Sequence, residues 1–221
     1  MIRNLKALML AGVAALALGA IGASAAQAAE FHSSAAETTV TLTTDGTGKN
    51  AHQVFDAAGA SITCAGIAGD GTIKGSTATT VTLDVSYEGP CTFVGQAATV
   101  EMRGCDYTFT SHGTVSLTNA TGKSCATEPI RFSVASPFCE VTIGNAGGIN
   151  QNLESVKYSN ITVGGVKEVT VEANVTNITY TASGAGCPET GTKSNGQYTT
   201  GNTIVTGEVP GTQTMVNVTW E

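Results

Sequence analysis

The feature that most constrains this chain is a stretch in which cysteines occur among alternating apolar and polar residues. Four of the six cysteines lie within the forty-nine residues from Cys91 to Cys139. Cys105 has the same parity as Tyr107 and Phe109, and this period-two alternation is typical of a half-buried strand. Cysteines that point into a core of short strands act as disulfide staples and not as a solvent-facing reactive site. The stretch therefore predicts a disulfide-braced β structure.

The chain beyond the leader predicts strands throughout. TTVTLDVSY gives the clearest one, since Val81, Leu83, Val85 and Tyr87 alternate without interruption. Thr favours strands, whereas the abundant Gly and Asn favour turns. No segment after the leader has a helical period. We predict an all-β, β-sandwich-like fold of roughly twelve to fourteen short strands.

Domain organisation leaves two alternatives open. Residues 29–221 form either one β-rich, disulfide-stapled region or two packed β lobes of similar topology that divide near 119–128. The second alternative depends on the similarity between residues 99–111 and 170–183, TVEMRGCDYTFTS and TVEANVTNITYTAS.

Several stretches predict interruptions of the strands. The glycines of 67–77 indicate a loop or hairpin tip, and Gly89-Pro90 is expected to end the strand before Cys91. EVTVEANV and NITYTAS predict two separate strands. Residues 184–196 predict the longest flexible stretch.

The first residues predict a secretory signal peptide covering 1–28. Arg3 and Lys6 provide a basic start, an apolar run follows, and Ala-Gln-Ala forms an A-x-A signal that places cleavage between Ala28 and Ala29. An uncleaved membrane anchor is the less favoured alternative. We expect a secreted, extracellular protein without membrane association once the signal is removed.

An even number of cysteines in an oxidising compartment favours three disulfides. A hairpin that turns near His112 would bring Cys105 and Cys125 to the same open end. Strand 130–134 would carry the chain away from Cys125, so a bond from Cys125 to Cys139 is disfavoured. Among the fifteen pairings of six cysteines, we predict Cys64–Cys91, Cys105–Cys125 and Cys139–Cys187.

The charge balance disfavours nucleic acid as a partner. All seventeen acidic residues but only eight of the ten basic residues follow Ala28, so the exported part carries a net charge of −9. An acidic surface repels phosphate backbones.

Motifs for nucleophilic, metal and cofactor chemistry are missing from the sequence. There is no G-x-S-x-G elbow, and Ser111, His112 and Asp106 imitate a triad only by proximity, where a solvated turn histidine is expected. The sequence has no C-x-x-C motif, and the three histidines are widely separated. Calcium at 45–50 or near Asp70 is disfavoured against plain turns. We predict no catalytic residue, no metal site and no cofactor.

Carboxylates leave one enzymatic alternative open. Glu101, Glu140 and Glu172 lie on the polar faces of predicted strands, and glycoside hydrolysis uses a pair of carboxylates. Aromatic residues, which often line sugar clefts, are few.

Several runs resemble a group of exported proteins. These runs are the leader, ITC (62–64), RGCDYTFT (103–110), CEVTIG (139–144), NITYTASGAGCPETG (177–191) and NGQYTTGNTIVTGE (195–208). They look like uncharacterised, cysteine-containing, β-rich exported proteins of high-GC actinobacteria. The resemblance implies an exported β fold with disulfides and brings no activity, ligand or catalytic residue.

Three functions follow from these observations. The leading hypothesis is a non-enzymatic exported β-protein, a surface, envelope or extracellular module that binds an unknown extracellular or cell-surface ligand. The first alternative is a secreted polysaccharide hydrolase with unidentified paired carboxylates. The second is a secreted inhibitor or toxin-like protein that presents a disulfide-braced loop at 184–196.

Overall fold

A computed structural model describes residues 29–44, 52–144, 151, 153–201 and 203–221. The predicted signal peptide, including Ala28, and the predicted turn at 45–50 lie outside the described residues. The described part contains eighteen strands and no helix, and all strand pairs are antiparallel, which confirms the predicted all-β, β-sandwich-like class. A search of these residues accordingly finds no helix suited to crossing a membrane.

The strands differ widely in length. They are β1 (Phe31–Ser33), β2 (Glu37–Thr44), β3 (Gln53–Ala57), β4 (Ala60–Lys74), β5 (Thr77–Ala78), β6 (Thr80–Phe93), β7 (Gln96–Glu101), β8 (Cys105–Thr110), β9 (Thr114–Asn119), β10 (Ile130–Ala135), β11 (Phe138–Ile143), β12 (Leu153–Glu154), β13 (Val156–Val163), β14 (Val166–Ser183), β15 (Gly191–Thr199), β16 (Thr203–Glu208), β17 (Met215–Val216) and β18 (Val218–Trp220).

Three long strands, β4, β6 and β14, connect the whole molecule. At one end, eight strands pair in a closed circuit in the order β3, β4, β6, β7, β10, β11, β14 and β15, and β15 pairs with β3 again. At the other end, β2 joins β4 to β16, and β16 joins β14. Strands from the two sides of 119–128 are therefore hydrogen-bonded to each other at several places, among them β7 with β10, β3 with β15 and β2 with β16; the division into two lobes stays a prediction.

A separate three-stranded sheet joins the first described strand to the last. Strand β1 lies between β18 and β5, with Phe31 opposite Trp220. The Phe31 ring meets the Tyr158 ring edge to face at 5.0 Å. Trp220 donates its indole N–H to the carbonyl of Ser111 at 2.9 Å. This small sheet thereby packs on the core that lies between the larger strands.

The loop or hairpin tip predicted at 67–77 is wrong for 67–74, because β4 continues to Lys74, whereas the chain does turn at Gly75 and Ser76 before β5. Gly71 lies opposite Leu83 of β6, and a Cβ at Gly71 would approach the Thr82 carbonyl oxygen to 2.4 Å. Glycine is used here for the close approach of two backbones and not for a turn.

Gly89-Pro90 does not end its strand as predicted, since β6 runs on to Phe93. Cys64 pairs with Cys91, and Gly66 pairs with Glu88. Between these two pairs, Gly89 and Pro90 lie opposite the single residue Ala65, so β6 has a β-bulge. Gly89 has a φ of +72°, which glycine adopts readily.

The two strands predicted at 168–175 and 177–183 are one strand, β14. The buried side chains change parity between Val175 and Ile178, where the register with β15 shifts and Asn177 has a φ of +61°. A bulge within a continuous strand produces the same break in alternation as a turn. The flexible stretch at 184–196 is also shorter than predicted, because β15 begins at Gly191.

The three disulfides connect the pairs that the sequence predicts. Their Cα atoms are 4.0, 4.5 and 4.8 Å apart in Cys64–Cys91, Cys105–Cys125 and Cys139–Cys187. Cys64 and Cys91 lie directly opposite each other in β4 and β6. Each bond thus connects segments that the strand pairing already holds together.

Truncation of Leu83 tests how much the buried face of β6 contributes to stability. Its side chain is 3% exposed and borders an apolar cavity of about 30 Å³. We expect Leu83→Ala to lower the free energy of unfolding by about 3 kcal/mol in urea denaturation, because truncation enlarges this cavity. Thr82→Ala, on the exposed face of the same strand, is the matched control. A loss below about 1 kcal/mol at Leu83 would contradict a central position for β6.

Candidate functional site

Polar side chains cover the outer face of five neighbouring strands, β13, β14, β15, β3 and β4. Adjacent positions across this surface are Lys157 with Glu172, Asn174 with Thr199, Gln197 with Asp56, and Asp56 with Ser61. These side chains point outward because their neighbours along each strand are buried, as in β14, where exposed Glu172 and Asn174 alternate with buried Val171, Ala173 and Val175. We call this surface the polar face.

One end of the polar face forms a groove of about 370 Å³, the first groove. Its polar lining comprises Asp56, Ser61, Asn195 and Gln197. Ser61 donates its hydroxyl to the Asp56 carboxylate. The buried Tyr180 donates its hydroxyl to Asn195 Oδ1 at 3.1 Å, so Nδ2 is the remaining polar atom of that amide. The groove thus presents a carboxylate, two amides and a hydroxyl.

The other end forms a second groove of about 440 Å³. Lys157 and Glu172, on facing positions of β13 and β14, give it one cation and one carboxylate. Asn174 and Thr199 extend the lining, and Ser155 closes it. Ser155 has a φ of +83°, and its carbonyl accepts a hydrogen bond from the Asn174 backbone N–H at 3.1 Å. Positive φ is uncommon outside glycine, and such residues are concentrated at functional sites.

The grooves match ligands rich in hydroxyl groups. Amides both donate and accept hydrogen bonds, and carboxylates accept two or more, as sugar hydroxyls require. Each groove has a single carboxylate in its lining, Asp56 in the first and Glu172 in the second. Glycoside hydrolysis usually needs two, separated by roughly 5–10 Å. The Glu189 side chain packs beside Gly59 at the first groove.

An interior cavity of about 50 Å³ is a weaker candidate. Tyr87, Tyr107 and Tyr198 lie among the aromatic and aliphatic residues around it. The Tyr87 and Tyr107 hydroxyls are 3.0 Å apart, and Tyr198 donates to Gln53 at 2.7 Å. Burial raises the pKa of all three phenols, so they remain neutral. Ligand pockets typically measure about 300–1,000 Å³, so this cavity is better regarded as part of the core.

The carboxylates proposed from sequence are placed in two different regions. Glu101 and Glu140 converge on Arg131, with nitrogen-to-oxygen distances of 3.7 and 2.6 Å. The arginine forms ion pairs with both of them on the outer surface of β7, β10 and β11, so the three side chains together keep one negative charge. Glu172 alone lies in a groove.

The residues that imitate a triad do not form one. Ser111 is buried, and its hydroxyl lies 3.5 Å from Nδ1 of the exposed His112. Asp106 instead lies beside Asp84, with Lys123 nearby. The prediction of an exposed turn histidine is confirmed.

The described residues contain no free thiol and no cluster of side chains that could hold a metal ion. All six cysteines are in disulfides. No three His, Cys, Asp or Glu side chains of that part of the chain are grouped to hold a metal. Asp70 lies inside β4 and not in a turn, and it accepts a hydrogen bond from Thr41 at 3.1 Å.

Asp106 gives a prediction for pH dependence. Burial raises the pKa of its carboxyl, Asp84 raises it further, and Lys123 partly offsets both. Asp84 also faces Asp70. A raised carboxyl pKa in the folded state means that stability falls as pH rises through that pKa. We therefore expect Asp106→Asn to stabilise the protein by roughly 0.5–1 kcal/mol at pH 7 in urea denaturation, and to have little effect near pH 3. A loss of stability at pH 7 would contradict this charge repulsion.

Most of the polar face has no signal in the amino-acid sequence. Asp56, Asn195, Gln197 and Lys157 are scattered along the chain and come together only because β15 lies between β14 and β3. The one usable signal was alternation in β14, which identified Glu172 as exposed. Comparison of the chain with known protein families, curated proteins and solved structures finds no match, so the resemblance to exported actinobacterial proteins stays a prediction.

Proposed function

We propose that this protein is an exported, non-enzymatic module that binds a hydroxyl-rich extracellular or cell-surface ligand, a polysaccharide, through the polar face. The observation that carries the proposal is the pair of grooves on that face, which are lined by amides, hydroxyls and one carboxylate each.

Export is supported by two independent features. The leader has the composition of a secretory signal, and the three disulfides suit an oxidising compartment. We expect mass spectrometry of the protein from culture medium to show an N-terminus at Ala29. A full-length product that retains Met1 in the medium would contradict export by this signal.

The two alternatives have less support. A hydrolase would need a second carboxylate beside Asp56 or Glu172, a role that Glu189, packed beside Gly59 at the first groove, would have to fill. An inhibitor would need a projecting loop, whereas the segment at 184–190 is held down by hydrogen bonds from Gly186 to Phe138 and from Glu189 to Ala58, of 2.8 and 3.0 Å.

Affinity electrophoresis in gels that contain hydroxyethyl cellulose, glycol chitin, xylan or mannan tests the proposal. We expect at least one neutral polymer to retard the protein, and Asp56→Ala to weaken retardation at least tenfold, because a hydrogen bond to a charged group contributes about 1.5–3 kcal/mol.

Asp84→Asn is the matched control, since Asp84 is an exposed aspartate of β6 outside both grooves. The absence of retardation by every polymer would refute polysaccharide binding. Release of reducing ends from the same polymers by the purified protein would refute the non-enzymatic assignment.

A further inference from the structure

We propose that the two grooves are subsites of one elongated site, so that the ligand is a linear, uncharged polymer that lies across the strands. This inference rests on the proposed function and adds the shape, the minimum length and the charge class of the ligand.

Strand order makes the two grooves continuous. Lys157 of β13 and Ser61 of β4 belong to strands separated by β14, β15 and β3. Four interstrand spacings of about 4.8 Å place the ends of the site roughly 19 Å apart. Strand β15 supplies residues to both grooves, Gln197 to the first and Thr199 to the second. Because Gln197 and Thr199 are two residues apart, their side chains emerge on the same face.

The surface between the grooves is low and contains an apolar side chain. Thr199 lies opposite Val54 of β3, and Val54 lies opposite Thr63 of β4. Val54 and Thr63 are only partly exposed. Small side chains at this position leave a path between the grooves, and Val54 offers an apolar contact to the C–H groups of a sugar ring. A chain that spans both grooves therefore has a continuous surface to lie on.

Charge restricts the class of polymer. The two grooves together carry Asp56, Glu172 and Lys157, so acidic groups exceed basic ones. Sulfated, phosphorylated or uronic acid polymers would be repelled by this balance and by the net negative charge of the chain. The fitting ligand carries hydroxyl or acetamido groups and no regular negative charge.

The length of the site is tested with defined oligomers. We would titrate the protein with β-1,4-linked glucose and β-1,4-linked N-acetylglucosamine oligomers of two, four and six units, and follow backbone amide shifts by NMR. We expect six-unit chains of at least one series to bind at least tenfold more tightly than two-unit chains. The six-unit chain should shift amides around Asp56 and around Glu172 together.

Variants distinguish one elongated site from two separate ones. Asp56→Ala and Glu172→Gln should each weaken the six-unit complex at least tenfold, whereas Asp84→Asn should not. If affinity does not increase with length, or if only one of the two variants matters, the elongated site is refuted while polysaccharide binding remains. If no oligomer of either series binds and every polymer gel also fails to retard the protein, the proposed function is refuted as well.

Discussion

Replacing both Cys139 and Cys187 with alanine is expected to lower the free energy of unfolding by about 4 kcal/mol. This disulfide closes the longest loop of the three, with a sequence separation of 48 compared with 27 and 20 for the others. A cross-link stabilises mainly by restricting the unfolded chain, and the effect increases with the logarithm of loop length, so the shorter loops should contribute about 3.5 and 3.3 kcal/mol. In the native protein the bond ties β11 to the segment after β14.

Guanidinium unfolding of the double variants provides the measurement. Cys64→Ala with Cys91→Ala is the matched control. This double substitution also removes a buried disulfide, but that disulfide closes a shorter loop in the unmodified protein. The three loops do not overlap in sequence, so their effects should be close to additive. A loss below about 2 kcal/mol for the Cys139 and Cys187 variant would mean that residual structure in the unfolded chain already restricts this loop.

Phe132→Ala is expected to cost about 4–5 kcal/mol, at the upper end for truncation of a buried phenylalanine. The Phe132 ring is stacked on Phe55 with centroids 5.2 Å apart, and the Tyr87 ring lies 6.3 Å away. Phe132 also borders two interior cavities, of about 50 and 10 Å³. Its removal would join them, and the cost of truncation increases with the volume of the resulting cavity.

Urea denaturation of Phe132→Ala beside Phe132→Leu separates cavity formation from other effects. Leucine refills most of the volume, so its loss should be less than half as large. Ser133→Ala, at the adjacent and more exposed position of β10, controls for changes in the strand itself. Equal losses for the leucine and alanine variants would show that ring stacking, and not cavity volume, determines the stability at this position.

Alternation predicted the fold class and several strands because it depends only on which face each side chain occupies. Val81, Leu83 and Val85 are buried as their parity requires. At the Asn177 bulge the parity shifts without a turn, and the sequence pattern is then the same as for two strands. At Gly89 the Gly-Pro pair imitates the end of a strand, although the buried parity of β6 continues to Cys91 and Phe93. Gly71 was mistaken for part of a loop for a different reason. A side chain is excluded at Gly71 because the backbone of β6 lies too close, and not because Gly71 adopts a turn conformation.

The disulfide pairing was accessible from sequence because it depends on hairpins between neighbouring strands. Cys105 and Cys125 lie at the open end of the β8–β9 hairpin, as the position of the turn near His112 indicated. The polar face was not accessible, because Asp56 and Gln197 become neighbours only when β15 pairs with β3. Such a pairing between distant strands leaves no local pattern.

The pairing of β1 with β18 determines the order in which the molecule can be completed as it is synthesised. Ser34 accepts a hydrogen bond from the backbone N–H of Asn217, a residue 183 positions later. Ribosomes add about 5–20 residues per second, so the first strand waits roughly 10–40 seconds for its partner. During this interval Phe31 lacks one of the two strands that flank it, since β5 has been made but β18 has not. A chaperone that holds the emerging chain would protect this apolar segment until residue 220 has been made.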